Sequence, residues 1–192
     1  MHHSRSLALT RRTRRTSERG LTIVELMIVV VVIGILATIA SVSVKKYVAS
    51  AKASEAGHII TQIKAAQETY QDETFTYLNI TTGLSAKSDF YPNNPSPGQY
   101  KMNFAGEGSG KDKWPLLGLH IDAPVLFVYA CVAAGGDVKP TALGDDIKVD
   151  NWPTAPLGKP WYVVKARADL DGDGVNTVFA SGSFAGEMFS TD

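Results

Sequence analysis

Cys131 is the only cysteine in the chain, so no disulfide can close within it and no thiolate metal site can be assembled from it. Proline is absent before Pro92, which leaves the first part of the chain free of the residue that most often breaks a helix. Charge is absent from Leu26 to Ala40. Net charge is also absent, with 19 basic and 19 acidic residues. Catalytic patterns are missing as well: there is no Gly-x-Ser-x-Gly elbow, paired-histidine helix, cysteine pair or phosphate-binding glycine loop. His58 stands on a predicted helix with no second ligand at metal spacing, and the pair His120 and Asp122 is the kind of coincidence a chain of this length produces. An enzyme is therefore not expected.

What is present begins with the uncharged run. Residues Gly20 to Ala40 are apolar with few exceptions, and a helix of about 20 such residues crosses a hydrocarbon core of about 30 Å. Valine and isoleucine are modest helix formers in water, but in lipid every backbone group must be satisfied within the segment, so helix is expected. Ahead of it stand Arg5, Arg11, Arg12, Arg14, Arg15 and Arg19 against Glu18 alone. That excess predicts an N-terminus held in the cytoplasm and a C-terminus sent outward. The remainder, with thirteen basic and eighteen acidic residues, is mildly acidic, which argues against a nucleic-acid surface.

Two residues make the run more than an anchor. Gly20, a small residue, stands before the apolar stretch, whereas an ordinary secretory signal is cut after it. Glu25 is a lone carboxylate inside the stretch, where a charge costs about 2.5–3.5 kcal/mol on insertion scales and calls for a partner. Snorkelling of Glu25 back to the headgroups is the bland alternative.

The segment Arg19-Gly20-Leu21-Thr22-Ile23-Val24-Glu25-Leu26-Met27-Ile28-Val29-Val30 closely resembles the processing and assembly signature of type IV pilins and type II secretion pseudopilins. The resemblance is strong from Arg19 to about Ala56 and loose beyond. It implies that a prepilin peptidase cuts between Gly20 and Leu21 on the cytoplasmic side and methylates the new amino group of Leu21. It also implies that Glu25, fifth in the mature chain, pairs inside a filament with the ammonium of a neighbouring copy's first residue. The chain departs from the family in three places. Leu21 stands where many members have phenylalanine; Ser41-Val42-Ser43 occupies a region where many have a proline, so the helix is expected to run on unkinked; and the disulfide that closes a C-terminal loop in many pilins is impossible here.

From Ser41 to about Gln71 the pattern becomes amphipathic, with Val44, Val48, Ala51, Glu55, Ile59, Ile63, Ala66 and Tyr70 on one stripe and Lys52, Lys64 and Gln67 mostly elsewhere. One helix of about 50 residues, from Leu21 to near Gln71, is predicted. Its first half is a membrane or filament-core segment and its second half backs a globular domain. Asp72 to Lys113 is rich in turn residues, with a short strand expected at Gln99 to Ala105. Further strands are expected at Val125 to Ala133, Trp161 to Ala168 and Val175 to Ser181, and Cys131 within the first reads as a small buried hydrophobe. The expected fold is α+β, a long N-terminal helix packed on an antiparallel sheet of three or four strands. The expected divisions are a cleaved leader over 1–20, the membrane half of the helix over 21–44 and an exported domain over 45–192.

Between the last two strands lies Asp169-Leu170-Asp171-Gly172-Asp173-Gly174. Carboxylates at alternate positions followed by glycine match the first half of a calcium loop, with the Val175 carbonyl as the next ligand. The bidentate glutamate of that pattern falls at Ala180, so an ion would borrow an oxygen from Asp192, Glu187 or water. An Asp-Gly hairpin turn with solvated charges is the other reading.

Two functions stand against each other. The first is a subunit of a type IV pilus or pseudopilus, held in the inner membrane with its N-terminus cytoplasmic and then polymerised with its own copies or other pilins, in the periplasm or at the cell surface. It needs no cofactor. The second is a monomeric periplasmic binding domain, membrane-anchored or secreted, that binds a ligand or a metal, for which calcium is the candidate. Gly20 and Glu25 favour the first, because a monomeric anchor gains nothing from a carboxylate in lipid.

Overall fold

A computed structural model describes residues 20–94, 96–137, 152 and 158–191. The chain divides into two compact units, Met1–Val44 and Lys45–Asp192. The helix α1, Ile23–Thr74, belongs to both and is unbroken over its 52 residues, including Ser41-Val42-Ser43.

In the first unit every side chain from Leu21 to Val44 is exposed, and the segment is long and apolar enough to cross a membrane. Its hydroxyls bond back along the helix, which satisfies them within the segment. Thr38 donates to the Gly34 carbonyl at 2.9 Å, Ser41 to Ala37 at 2.9 Å and Ser43 to Ile39 at 3.1 Å.

In the second unit four strands, β1 (Val128–Ala134), β2 (Trp161–Ala168), β3 (Thr177–Gly182) and β4 (Phe189–Ser190), form one antiparallel sheet in chain order. This is the α+β arrangement expected, a long helix on a four-stranded antiparallel sheet. Phe127, Tyr129, Cys131 and Ala133 join Tyr162, Val164, Ala166 and Phe179 in the core that receives Ala56, Ile59, Ile60 and Ile63 of α1. Burying each isoleucine contributes about 1.5–3 kcal/mol. The alternate residues Val128, Ala130, Val132, Trp161, Val163 and Val178 face the other way, under Leu84, Phe90, Trp152 and Phe184. Both faces of the sheet are thus covered, which is why β1 reads as a continuous apolar run rather than an alternation.

The structure corrects three expectations. Gln99 to Ala105 is not a strand; it makes only single bridges, Pro97 with Tyr100 and Met102 with Val125. The stripe of α1 does not pack along its whole length, since Val44, Val48 and Ala51 are exposed and burial is complete only from Ala56 onward. Gln67 lies on the buried face: it is fully buried, exchanges bonds with Leu78 N–H and carbonyl (2.9 and 2.8 Å) and donates to Cys131 Sγ at 3.2 Å. Lys64, also placed off the stripe, is half-buried and donates to Ser181 Oγ (2.9 Å) and the Ala185 carbonyl (3.2 Å), and its desolvation lowers its pKa.

Glu55, the misfit of the stripe, has a purpose at this boundary. Its carboxylate accepts the Leu126 N–H at 2.5 Å and pairs with Lys101 at 3.1 Å, tying the approach to β1 onto the helix. Glu68 does the same one helical segment later by accepting the hydroxyls of Tyr77 and Tyr162, each at 3.1 Å.

Candidate functional sites

At the head of α1 the carbonyl of Thr22 accepts the first helical bond, from Leu26 N–H at 3.2 Å. The Thr22 hydroxyl oxygen accepts from Glu25 N–H at 3.2 Å, while Glu25 Oε2 accepts from Thr22 N–H at 3.0 Å and from its hydroxyl at 2.9 Å. This is a capping box, in which a hydroxyl before the helix and a carboxylate three residues later each satisfy the other's orphan donor. Gly20 and Leu21 lie just outside it, exposed and in no helix or strand. The three residues singled out in the sequence are therefore together at one exposed terminus, with Glu25 held over the peptide that joins Leu21 to Thr22. Sequence reasoning passes over Thr22, although the spacing Thr-x-x-Glu before an apolar run is itself the signal.

The second candidate is the turn joining β2 to β3. One carboxylate oxygen from each of Asp169, Asp171 and Asp173 lies within 4.8 Å of the other two. Asp169 is half-buried and organises the turn: it accepts Gly172 N–H at 2.7 Å and Gly174 N–H at 3.1 Å. Asp173 accepts Val175 N–H at 2.7 Å, and Asp171 accepts Asp173 N–H at a longer 3.4 Å. Gly172 and Gly174 have φ of 82° and 86°, a region glycine enters without strain. The donor set is all oxygen, which suits a hard cation such as calcium. The amide bonds also account for much of the charge as turn geometry.

This turn is fastened to α1. Lys52 donates to the Leu170 carbonyl at 2.7 Å and to the Gly98 carbonyl at 3.5 Å, and Asp169 N–H donates to the Pro97 carbonyl at 2.8 Å. Gly98, with φ of 94°, is so close to Asp169 that a Cβ would stand 2.2 Å from its carbonyl oxygen. Of the oxygens proposed to complete the loop, Asp192 lies outside the described residues. Glu187 is at the far end of β3, where its carbonyl accepts the Ser181 hydroxyl, and it is not part of the cluster.

His58, His120 and Asp122 do meet, with Glu55 and Gln62, on one open cleft of about 250 Å³. His58 and His120 are exposed, and among the described residues only the three aspartates bring three ligating atoms together. Cys131 is buried, and burial pushes its thiol up to about 12, so it is a packing residue and not a nucleophile.

Comparison with known proteins bears on the head of α1 most directly. Residues 15–41 match the family described as the prokaryotic N-terminal methylation motif. Over 139 residues the chain is 27% identical to the type II secretion system core protein G of Pseudomonas aeruginosa, an alignment covering 72% of this chain and 98% of that protein. No solved structure matches. The motif and the relative bear out the resemblance to the pilin and pseudopilin family read from Arg19 onward.

Proposed function

We propose that the chain is a structural subunit of a pilin-like filament, of the kind that serves type II secretion. The observation that carries this reading is Glu25. It is a carboxylate in the first turn of an exposed apolar helix, and among the described residues it bonds only to Thr22. A carboxylate so placed is costly in a lone membrane anchor, whereas in a polymer each copy can give it a cation. On this reading a prepilin peptidase cuts between Gly20 and Leu21 and methylates the Leu21 amino group. The new ammonium of one copy then neutralises Glu25 of its neighbour, in place of the Thr22 bonds that Glu25 makes here. The membrane half holds the subunit in the inner membrane until assembly. The motif over residues 15–41 and the secretion-system relative support the same assignment, and no catalytic role is part of it.

For the turn Asp169 to Gly174 we propose calcium as a structural ion that would be held by the three aspartates and would add a second fastening to the one Lys52 makes. With no disulfide available, that turn is where an ion contributes most to the last hairpin.

The experiment that tests the subunit reading is fractionation of cells overproducing the chain. Recovery in sheared filaments, with copies joined by a lysine-reactive crosslinker, is expected. A chain that stays monomeric in the membrane fraction would favour the anchored binding domain instead.

A further inference from the structure

The exported half of α1 sorts its charges along its length. From Ser41 to Ser54 the sequence holds three lysines and no acid, and from Glu68 to Glu73 three acids and no base. No basic residue occupies the last turn, although the carbonyl end of a helix favours cations and disfavours carboxylates. Asp72 and Glu73 are exposed there and make the isolated helix end worse, not better.

The same two ends differ in relief. At the basic end Tyr47 is 77% exposed and Val48 45% exposed. At the acidic end a groove of about 560 Å³ opens between α1 and the turn 116–120, floored by Ala65, Ala66, Tyr70 and Leu119 with Glu73 on its rim. Leu116, which also lines it, is 60% exposed. On the helix side Ala65 and Ala66 are the small residues of the lining, between the longer Gln62 and Tyr70. Tyr47 and Thr69 are separated by roughly 22 residues of helix, about 33 Å along its axis, so the projecting ring and the groove of one molecule cannot meet.

Between copies they can. We propose that this groove receives the Tyr47 segment of a second copy of the chain, lying parallel and displaced by about 33 Å along the axis. The inference rests on the filament reading, which makes the copies parallel by inserting them in one membrane. A projection at one place fitting a hollow at another is a heterologous contact, and repeated without closure it generates a helical filament. The segment Ser41 to Ser54, with three lysines and no acid, then runs past Asp72 and Glu73 of its neighbour and opposes their charge. A membrane interface accounts for an exposed tyrosine before assembly, but it leaves the groove and its acidic rim unused.

The test uses thiol crosslinking in cells making the full chain, because Cys131 is buried and its thiol is not reactive. Tyr47→Cys and Thr69→Cys are made singly and together and treated with a short bis-maleimide. A ladder of multimers from the double variant, with neither single variant laddering, is the expected result. Double-variant filaments that remain monomeric on denaturing gels overturn the contact while leaving the subunit reading intact; the groove then serves another partner. Absence of wild-type filaments defeats the subunit reading, and this inference with it. If the double variant alone fails to assemble, Glu73→Lys decides. It improves the isolated helix end, so the domain should melt no lower than wild type while filament yield falls about tenfold. An unchanged yield from Glu73→Lys overturns the proposal.

Discussion

Thr22 and Glu25 hold each other: the amide of each is bonded to the side-chain oxygen of the other, at 3.0 and 3.2 Å, and the Thr22 hydroxyl donates to the same carboxylate at 2.9 Å. The pair gives Glu25 two separable properties, an acceptor that starts the helix and, on the filament reading proposed above, a charge that a neighbour would neutralise.

Glutamine separates them. Glu25→Gln keeps an acceptor at the third helical position, as capping boxes allow, but carries no charge. It should insert and fold as wild type does. Removing one partner of a buried charge pair costs about 3–5 kcal/mol, so its incorporation into filaments should fall by about a hundredfold or more, as in Glu25→Ala. Quantitative blotting of purified filaments makes the comparison, and wild-type incorporation of Glu25→Gln would reduce Glu25 to a helix cap.

Much of this architecture is legible in the sequence, for physical reasons that also mark where legibility stops. The uncharged run and the 3.6-residue period announce α1, and Trp161–Ala168 coincides with β2 because flanking turn residues bound a short run that opens on Trp-Tyr-Val-Val. The same period cannot say which part of a stripe faces a core. Val44, Val48 and Ala51 continue the pattern yet are exposed, and only from Ala56 does the sheet lie beneath the helix. Gln67 and Lys64 stand four residues after Ile63 and Ile60, so spacing puts them on the buried side; their polarity hides them, because the groups that satisfy them come from distant segments. The strand β4 has two residues and no periodicity to read. At the sites, Gly20, Glu25 and the aspartates are visible as residue types out of place. What joins Lys52 to the acidic turn is a contact across 118 positions that no local pattern contains.

Calcium should raise the melting temperature of the full chain in detergent relative to chelator, with half-effect in the range of about 10⁻⁴–10⁻³ M expected of an incomplete loop. Asp171→Ala is the informative variant. Asp171 is exposed and its single amide bond is long, whereas Asp169 holds the turn by two amides and its loss would disturb the fold without any ion. Asp171→Ala should melt alike in calcium and chelator. Identical curves for the wild type would remove calcium from the account.

Ile63 is fully buried where α1 meets the sheet. Ile63→Ala leaves a cavity there and should destabilise the second unit by about 2–5 kcal/mol, seen as a lower denaturation midpoint. Tyr47→Ala, at an exposed position, should leave the midpoint within about 0.5 kcal/mol of wild type. Equal effects would mean that the helix does not pack as described.

Alkaline pH should weaken the fold through Cys131. Its thiol is raised by burial from 9.0 to about 12, so the stability that comes from keeping it protonated is complete below pH 9 and is lost as pH climbs to about 12. Tyr77, raised to about 12 by burial and by the Glu68 carboxylate, adds in the same direction. Cys131→Ala should start lower, through the lost packing, but show a shallower decline of denaturation midpoint between pH 9 and 12. Parallel declines would contradict a buried protonated thiol.

The claim that organises the rest is that the chain is processed at the head of α1 for assembly. Mass spectrometry of the N-terminal peptide of the protein from its own cells tests it most directly. The account predicts a chain that starts at Leu21 with one added methyl group on its amino nitrogen. An N-terminus at Ser41, or residues 1–20 still attached to membrane-inserted protein, would contradict it.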